Sequence, residues 1–237
     1  MASSAPDALA AALSPGRGGL ARATVRHASG AALEVYTHGG CITSWTAPSG
    51  QEVLFVSSEA VWDGVKPIRG GIPLCWPQFG AQGPLPQHGF ARTEAWTLEA
   101  VGDGTATLSL RDNERTRALW PHAFHLRLRV LFDDAQLVTH LDVENPAGAP
   151  APFAFDALQH TYLATGAASA IGDVRVCGLQ GAKYLSKPHA NAVCTEEAAS
   201  IALGGEVDRI YCNTPCVRAG WRRAAAERVK RGTAEAA

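Results

Sequence analysis

Apolar and polar residues alternate with a period of two along much of this chain. In His125 to Phe132, the residues Leu126, Leu128, Val130 and Phe132 point one way, and His125, Arg127 and Arg129 the other. From Leu137 to Glu144 the set Leu137, Thr139, Leu141, Val143 opposes His140, Asp142 and Glu144. Ala106, Leu108 and Leu110 repeat the pattern, as do Leu33 and Val35 against Glu34 and Tyr36. This is the period of a half-buried strand with one apolar and one polar face. Turn chemistry separates the segments: Gly39-Gly40, Pro48-Ser49-Gly50, Gly102-Asp103-Gly104, Asp133-Asp134 and Asn145-Pro146. Short strands at such spacing, without long helical stretches between them, predict an all-β fold, an antiparallel sandwich or barrel.

No repeat or internal linker interrupts the pattern, so residues 17–213 are expected to form one β-sandwich domain. Residues 1–16, rich in Ala and Ser, are expected to be a disordered extension. Residues 214–237 are an atypical basic, Ala/Arg-rich tail. Within it Trp221, Ala225 and Val229 lie four apart beside Arg223, Glu227 and Arg231, which predicts a short amphipathic helix with a solvated basic face.

Composition narrows the functional classes. Of 237 residues, 46% are hydrophobic and 18% charged, with six Trp, seven Phe and four Tyr, which excludes an intrinsically disordered chain. The net charge of −1 argues against a nucleic-acid or anionic-membrane partner. No apolar run approaches the roughly 18–20 residues of a membrane helix. The charge is uneven: residues 218–237 hold six basic and two acidic side chains, a change of character near the C-terminus. That tail has no aromatic but Trp221 to interleave with its charges, so it does not read as a nucleic-acid module. Six cysteines without a secretory signal imply free thiols in a reducing compartment, the cytoplasm, with a plastid as the alternative address. Cys212 and Cys216, with His189 and Cys194 upstream, lack the remaining spacing of a zinc site, so no metal is expected.

The chemistry concentrates in Lys66 to Trp96, KPIRGGIPLCWPQFGAQGPLPQHGFARTEAW. Five Gly and five Pro in 31 residues rule out a regular element and specify a rigid, turn-rich loop. Long loops in compact β domains are usually functional. This one places Arg69, Gln78, Gln87, His88 and Arg92 among Trp76, Phe79 and Phe90. Paired arginines suit a phosphate or carboxylate, and aromatic faces suit the apolar face of a sugar. Equally, the arginines could neutralise structural carboxylates and Trp76 could be core. A second focus is FAFDALQHTY, Phe153 to Tyr162, where His160 is either a satisfied core histidine or an acid–base group.

These residues resemble the signature of the glucose-6-phosphate 1-epimerases, or hexose-6-phosphate mutarotases, relatives of aldose 1-epimerase (galactose mutarotase). The resemblance runs through IRGGIPLCWPQFG, LPQHGFAR with Trp96, Trp120-Pro121-His122, ALQHTY, GLQGAKYLSK and GEVDRIY. It implies a large antiparallel β-sandwich. It further implies His160 as general acid, with Gln159 in place of the usual leucine before it. Arg69 and Arg92 are implied as substrate and phosphate ligands, Gln87 and His88 as substrate contacts, and Asp208 as the carboxylate that holds sugar hydroxyls. The substrate would be a hexose 6-phosphate, turned over by a monomer without metal, nucleotide or redox cofactor. The resemblance stops after Asn213. The family's C-terminal strand, with its catalytic glutamate beyond a VVWNPW-like motif, has no match here, so the sandwich is expected to be incomplete and the activity impaired, or reduced to sugar-phosphate binding. Glu94, Glu206 and Glu227 have no positional case as replacements.

Overall fold

In the computed structural model, residues 6–148, 151–165 and 168–214 are described. They fall into two compact units, one up to Thr165 and the other from Gly166 onward.

The first unit opens with a short helix, α1 (Pro6–Ala11), and strand β1 (Leu13–Pro15). β2 (Ala21–Arg26), β3 (Ala32–Tyr36) and β4 (Ile42–Thr46) complete an antiparallel sheet in the order β1-β2-β3-β4. Next comes a two-residue strand, β5 (Leu74–Cys75), and then β6 (Thr97–Gly102), β7 (Thr105–Arg111), β8 (His125–Phe132) and β9 (Leu137–Glu144). These last four form a second antiparallel sheet in chain order. β10 (Leu158–Gln159) returns to pair with β5. Sequential antiparallel pairing explains the topology: β7, β8 and β9 each pair with the strand before them, β6–β7 and β8–β9 through short turns and β7–β8 through a longer connection.

One apolar cluster joins the two sheets. Ala23, Val25, Leu33 and Val35 of the first and Leu98, Ala106, Leu108, Leu110, Leu126, Leu128, Val130 and Phe132 of the second belong to it, all nearly inaccessible. The alternation of Leu126, Leu128, Val130 and Phe132 is therefore the inner face of β8, and the fold of this unit is an antiparallel sandwich. Each such side chain withdrawn from water contributes about 1.5–3 kcal/mol.

Three local expectations need correction. Residues 6–15, read from the sequence as part of a disordered extension, are α1 and β1; Leu13 pairs with Ala23, and Leu9, Ala12 and Leu13 pack on the core. A few apolar side chains in a short segment suffice when a sheet edge offers backbone partners. His125, on the outward face of β8, is buried nonetheless, lying 3.4 Å from the Glu144 carboxylate and 3.9 Å from that of Glu99. The third is an unexpected helix, α2 (Glu114–Leu119), started by a reciprocal cap: Thr116 N–H donates to Asn113 Oδ1, and Asn113 N–H donates to Thr116 Oγ1, both at 2.9 Å.

The second unit carries β11 (Arg175–Cys177), β12 (Lys183–Ser186), β13 (Ala192–Thr195), β14 (Ser200–Ala202) and β15 (Arg209–Cys212). β12 is central between β13 and β15, and β11 pairs with β14, all antiparallel. The amphipathic helix expected at Trp221–Arg231 lies outside the described residues.

Candidate active site

The loop between β5 and β6 is built around its aromatics. Trp76 and Phe90 are fully buried, with ring centroids 5.7 Å apart, and Trp76 also meets Phe124 at 4.6 Å. Both belong to the core, so the aromatic surface expected for a sugar reduces to Phe79, half-buried against the His88 ring at 5.4 Å. Backbone bonds then close the loop: Phe90 and Ala91 N–H donate to the Trp76 carbonyl at 3.1 and 3.2 Å. Gly89 has φ +69°, and a Cβ there would stand 2.2 Å from the Trp76 carbonyl oxygen, so only glycine allows the closure. Gln78 fills the loop from inside. Its amide donates to the Gly80 and Leu85 carbonyls at 3.2 Å, and its oxygen accepts from Leu85 N–H at 3.1 Å. Gln78 is therefore a structural group.

His88 sits at the loop's end with φ +68°, an unfavourable backbone conformation for a non-glycine residue. It is held there by two bonds to Gly80: His88 N–H donates to the Gly80 carbonyl at 2.8 Å, and Gly80 N–H donates to His88 Nδ1 at 3.1 Å. With Nδ1 as acceptor, the neutral ring carries its proton on Nε2. Arg92 follows in a 3-10 turn, Ala91–Thr93, and its Nη2 donates to the Gln87 carbonyl at 2.6 Å. Burial draws the Arg92 guanidinium below its ordinary pKa, opposed by the neighbouring Cys75 thiol and Tyr162 hydroxyl. Cys75 is itself pushed up by burial, against the pull of Arg92.

His160 arrives from the other side of the sequence. Its N–H donates to the Pro73 carbonyl at 2.9 Å, continuing the β5–β10 pairing, and Tyr162 N–H donates to the Gly71 carbonyl at 2.8 Å. Residues two apart in extended chain share a face. Accordingly the Tyr162 ring stacks on the His160 imidazole, with centroids 4.8 Å apart and planes inclined by 21°. The His88 ring meets His160 edge-on at 5.9 Å. The register of this strand depends on the RGG segment: Gly71 has φ +66°, and a Cβ there would lie 2.0 Å from the Ile42 carbonyl oxygen.

The His88 and His160 rings thus meet, and Arg92 is held to the Gln87 backbone on the same loop as His88. The Gln87 side chain is exposed. Arg69 lies on the adjoining segment, exposed, with its carbonyl accepting from Ser57 N–H at 3.0 Å. Among the described residues its guanidinium makes no hydrogen bond or ion pair. Asp208 belongs to the second unit, where its carboxylate pairs with Lys187 Nζ at 3.2 Å and its carbonyl accepts from Lys187 N–H at 3.1 Å. Glu94 is committed elsewhere, buried and bonded to Arg115 at 2.8 Å and Asn113 at 3.2 Å. Imidazoles have the chemistry to exchange protons and a guanidinium that to bind an anion. Among the described residues no group of His, Cys, Asp and Glu is placed to hold a metal ion.

The family model for aldose 1-epimerase matches residues 21–234. The chain belongs to the aldose 1-epimerase family. A provisionally named glucose-6-phosphate 1-epimerase from Cenchrus ciliaris is 37% identical over 209 residues, 83% of this chain and 62% of that protein. One of the same provisional name from Escherichia coli (strain K12) is 33% identical over 181 residues, 74% of this chain and 58% of the relative. The chain thus spans about three-fifths of the length of these curated relatives. The crystal structure of a provisionally assigned mutarotase from Salmonella typhimurium superposes with a TM-score of 0.69 at 30% identity, covering 82% of this chain and 67% of that one. The mutarotase-like β-sandwich is thereby established as the fold.

In this aldose 1-epimerase family member one site residue escaped sequence reasoning. Tyr162 stacks on His160, and its hydroxyl bears electrostatically on Arg92. Its signal was available: it stands two residues after His160 in extended chain, on the same face.

Proposed function

We propose that this protein interconverts the α and β anomers of hexose 6-phosphates, D-glucose 6-phosphate foremost, by acid–base ring opening. The observation that carries the reading is the meeting of the His160 and His88 rings, with Arg92 on the same loop as His88, in a chain of the aldose 1-epimerase family. In this mechanism a base takes the proton of the anomeric hydroxyl while His160 delivers one to the ring oxygen. The C1–O5 bond breaks, O1 becomes the aldehyde oxygen and O5 a hydroxyl. Rotation about C1–C2 and reclosure, with both protons returned, yield the other anomer. Each acid–base step of this kind contributes about 10²- to 10⁴-fold. Arg92, with Arg69, binds the phosphate, and His88 and Gln87 contact the sugar. No cofactor takes part. The protein acts as a cytoplasmic monomer, a setting supported by the free thiols of Cys41, Cys75, Cys177, Cys194 and Cys212.

A second form of the reading, the one expected where the acid has no partner base, is a sugar-phosphate-binding protein without turnover. Two-dimensional NMR exchange between the anomers of glucose 6-phosphate, with His160→Ala as control, separates the two. Catalysed exchange that His160→Ala abolishes supports the epimerase. Ligand-induced shifts without exchange support the binder. Neither shifts nor exchange would overturn both, and equal handling of glucose would overturn the phosphate reading of Arg92 and Arg69.

A further inference from the structure

We propose that Tyr162 is the positioning residue of this site, its ring holding the His160 imidazole in one orientation. The proposal rests on the acid–base reading above and adds a part to it.

Three observations support the assignment. The first is the stack itself: a 21° inclination at 4.8 Å covers one face of the imidazole, while the His88 ring meets it edge-on at 5.9 Å. An imidazole confined by two rings in different planes loses most of its freedom about χ2, the torsion that aims Nε2 and Nδ1. The second is that Tyr162 is anchored on both sides of its own backbone, its N–H donating to Gly71 at 2.8 Å and its carbonyl accepting from Phe55 N–H at 3.0 Å. A side chain on so fixed a backbone is a rigid reference, as a positioning residue must be. The third is that the Tyr162 hydroxyl bears electrostatically on Arg92, which the Gln87 carbonyl, five residues away, holds at 2.6 Å. One side chain therefore stacks on the group proposed to move the proton and bears on the charge of the group proposed to hold the phosphate. Its ring and its hydroxyl have separable duties, because stacking needs only the ring.

The test uses the full chain with ¹⁵N-labelled histidine. In the wild type, nuclear Overhauser contacts should join the ring protons of Tyr162 and His160, and their absence would overturn the proposal directly. Tyr162→Leu should move and broaden the His160 ring resonances while the amide spectrum of β6–β9 stays unchanged. It should slow anomer exchange about 100-fold, the size of effect that small misplacements of catalytic groups produce. Tyr162→Phe, which keeps the ring, should restore the ring signals and the maximal rate. His160 signals indifferent to Tyr162→Leu would overturn the proposal, and so would a Phe variant as defective as Leu. If Leu disrupts folding, the wild-type contacts and the Phe variant decide. Should the wild type exchange no anomers, the function fails while the ring resonances still settle the role of Tyr162.

Discussion

Both units of this protein are antiparallel β, yet they are held together by different physics. In residues 6–165 the sheets enclose a dense apolar cluster, and the twelve largest side chains that are fully buried, Trp76, Phe124 and Leu126 among them, all belong there. In the second unit, Ile201 is the one buried apolar side chain among the described residues, whereas Val193 is 70% exposed. Its order comes from a polar network. Glu196, itself buried, accepts from the Tyr211 hydroxyl at 2.6 Å and pairs with Arg209, and the Arg209 guanidinium lies over the Tyr184 ring at 4.6 Å. Apolar burial is non-directional and accumulates with area. A hydrogen-bonded network is directional, and losing one member leaves the others unsatisfied.

The comparison can be broken at its strongest point first. Leu126→Ala should destabilise the first unit by about 2–5 kcal/mol, through lost transfer free energy and the cavity left behind. Chemical denaturation followed by tryptophan fluorescence measures it, since Trp45, Trp62, Trp76, Trp96 and Trp120 all lie in that unit. A loss below about 1 kcal/mol would mean that the sandwich core does not dominate its stability. Glu196→Gln should cost less, about 1–3 kcal/mol, by removing the charged acceptor that Tyr211 and Arg209 share. Hydrogen exchange should show faster opening of β12, β13 and β15 with no change in β6–β9. Equal acceleration in both units would erase the distinction.

Acidification sharpens the same contrast. The Tyr211 hydroxyl, then the Ala198 N–H and Arg209, hold the Glu196 carboxyl below its ordinary value of 4.5. The folded unit thus keeps the charge at a pH where the unfolded chain has taken up a proton. This stabilisation is complete above about 4.5 and is lost as pH falls through the lower folded value. Amides of the second unit should therefore lose protection on acidification below 4.5, and Glu196→Gln should flatten that dependence. The smallest effect belongs to the surface of the first unit. Arg129→Ala removes a two-pronged ion pair with Asp142, at 2.8 and 3.1 Å, yet both side chains are about half exposed. It should change stability by no more than about 1 kcal/mol, less at high salt. A larger loss on denaturant titration would mean that outward polar pairs also carry this sheet.

How much could be read in advance differs between these regions for the same reason. The inner face of β8 was legible because strand periodicity is local: alternate residues must share a face, whatever the sheet packs against. Helix α2 was missed because its start depends on Asn113 and Thr116 bonding reciprocally, a pairing that no apolar stripe announces. The buried position of His125 was missed because alternation assigns a face and says nothing of what covers it. For the loop, Gly and Pro content marked a rigid functional segment. Composition could not separate Trp76 and Phe90, which complete the core, from Phe79, which borders the histidines.

By itself, then, the sequence determined the strands, their inward residues, the rigid loop and, through its motifs, the family. Periodicity, glycine conformation and motif order are properties of neighbouring residues and survive without a fold. Tertiary structure alone decided that His160, with the Tyr162 ring stacked on it, meets His88. The two segments are some seventy residues apart in the chain. They meet only because the β5–β10 pairing and the closure of the loop on Trp76 bring their backbones to one place, where burial of the aromatic core keeps them.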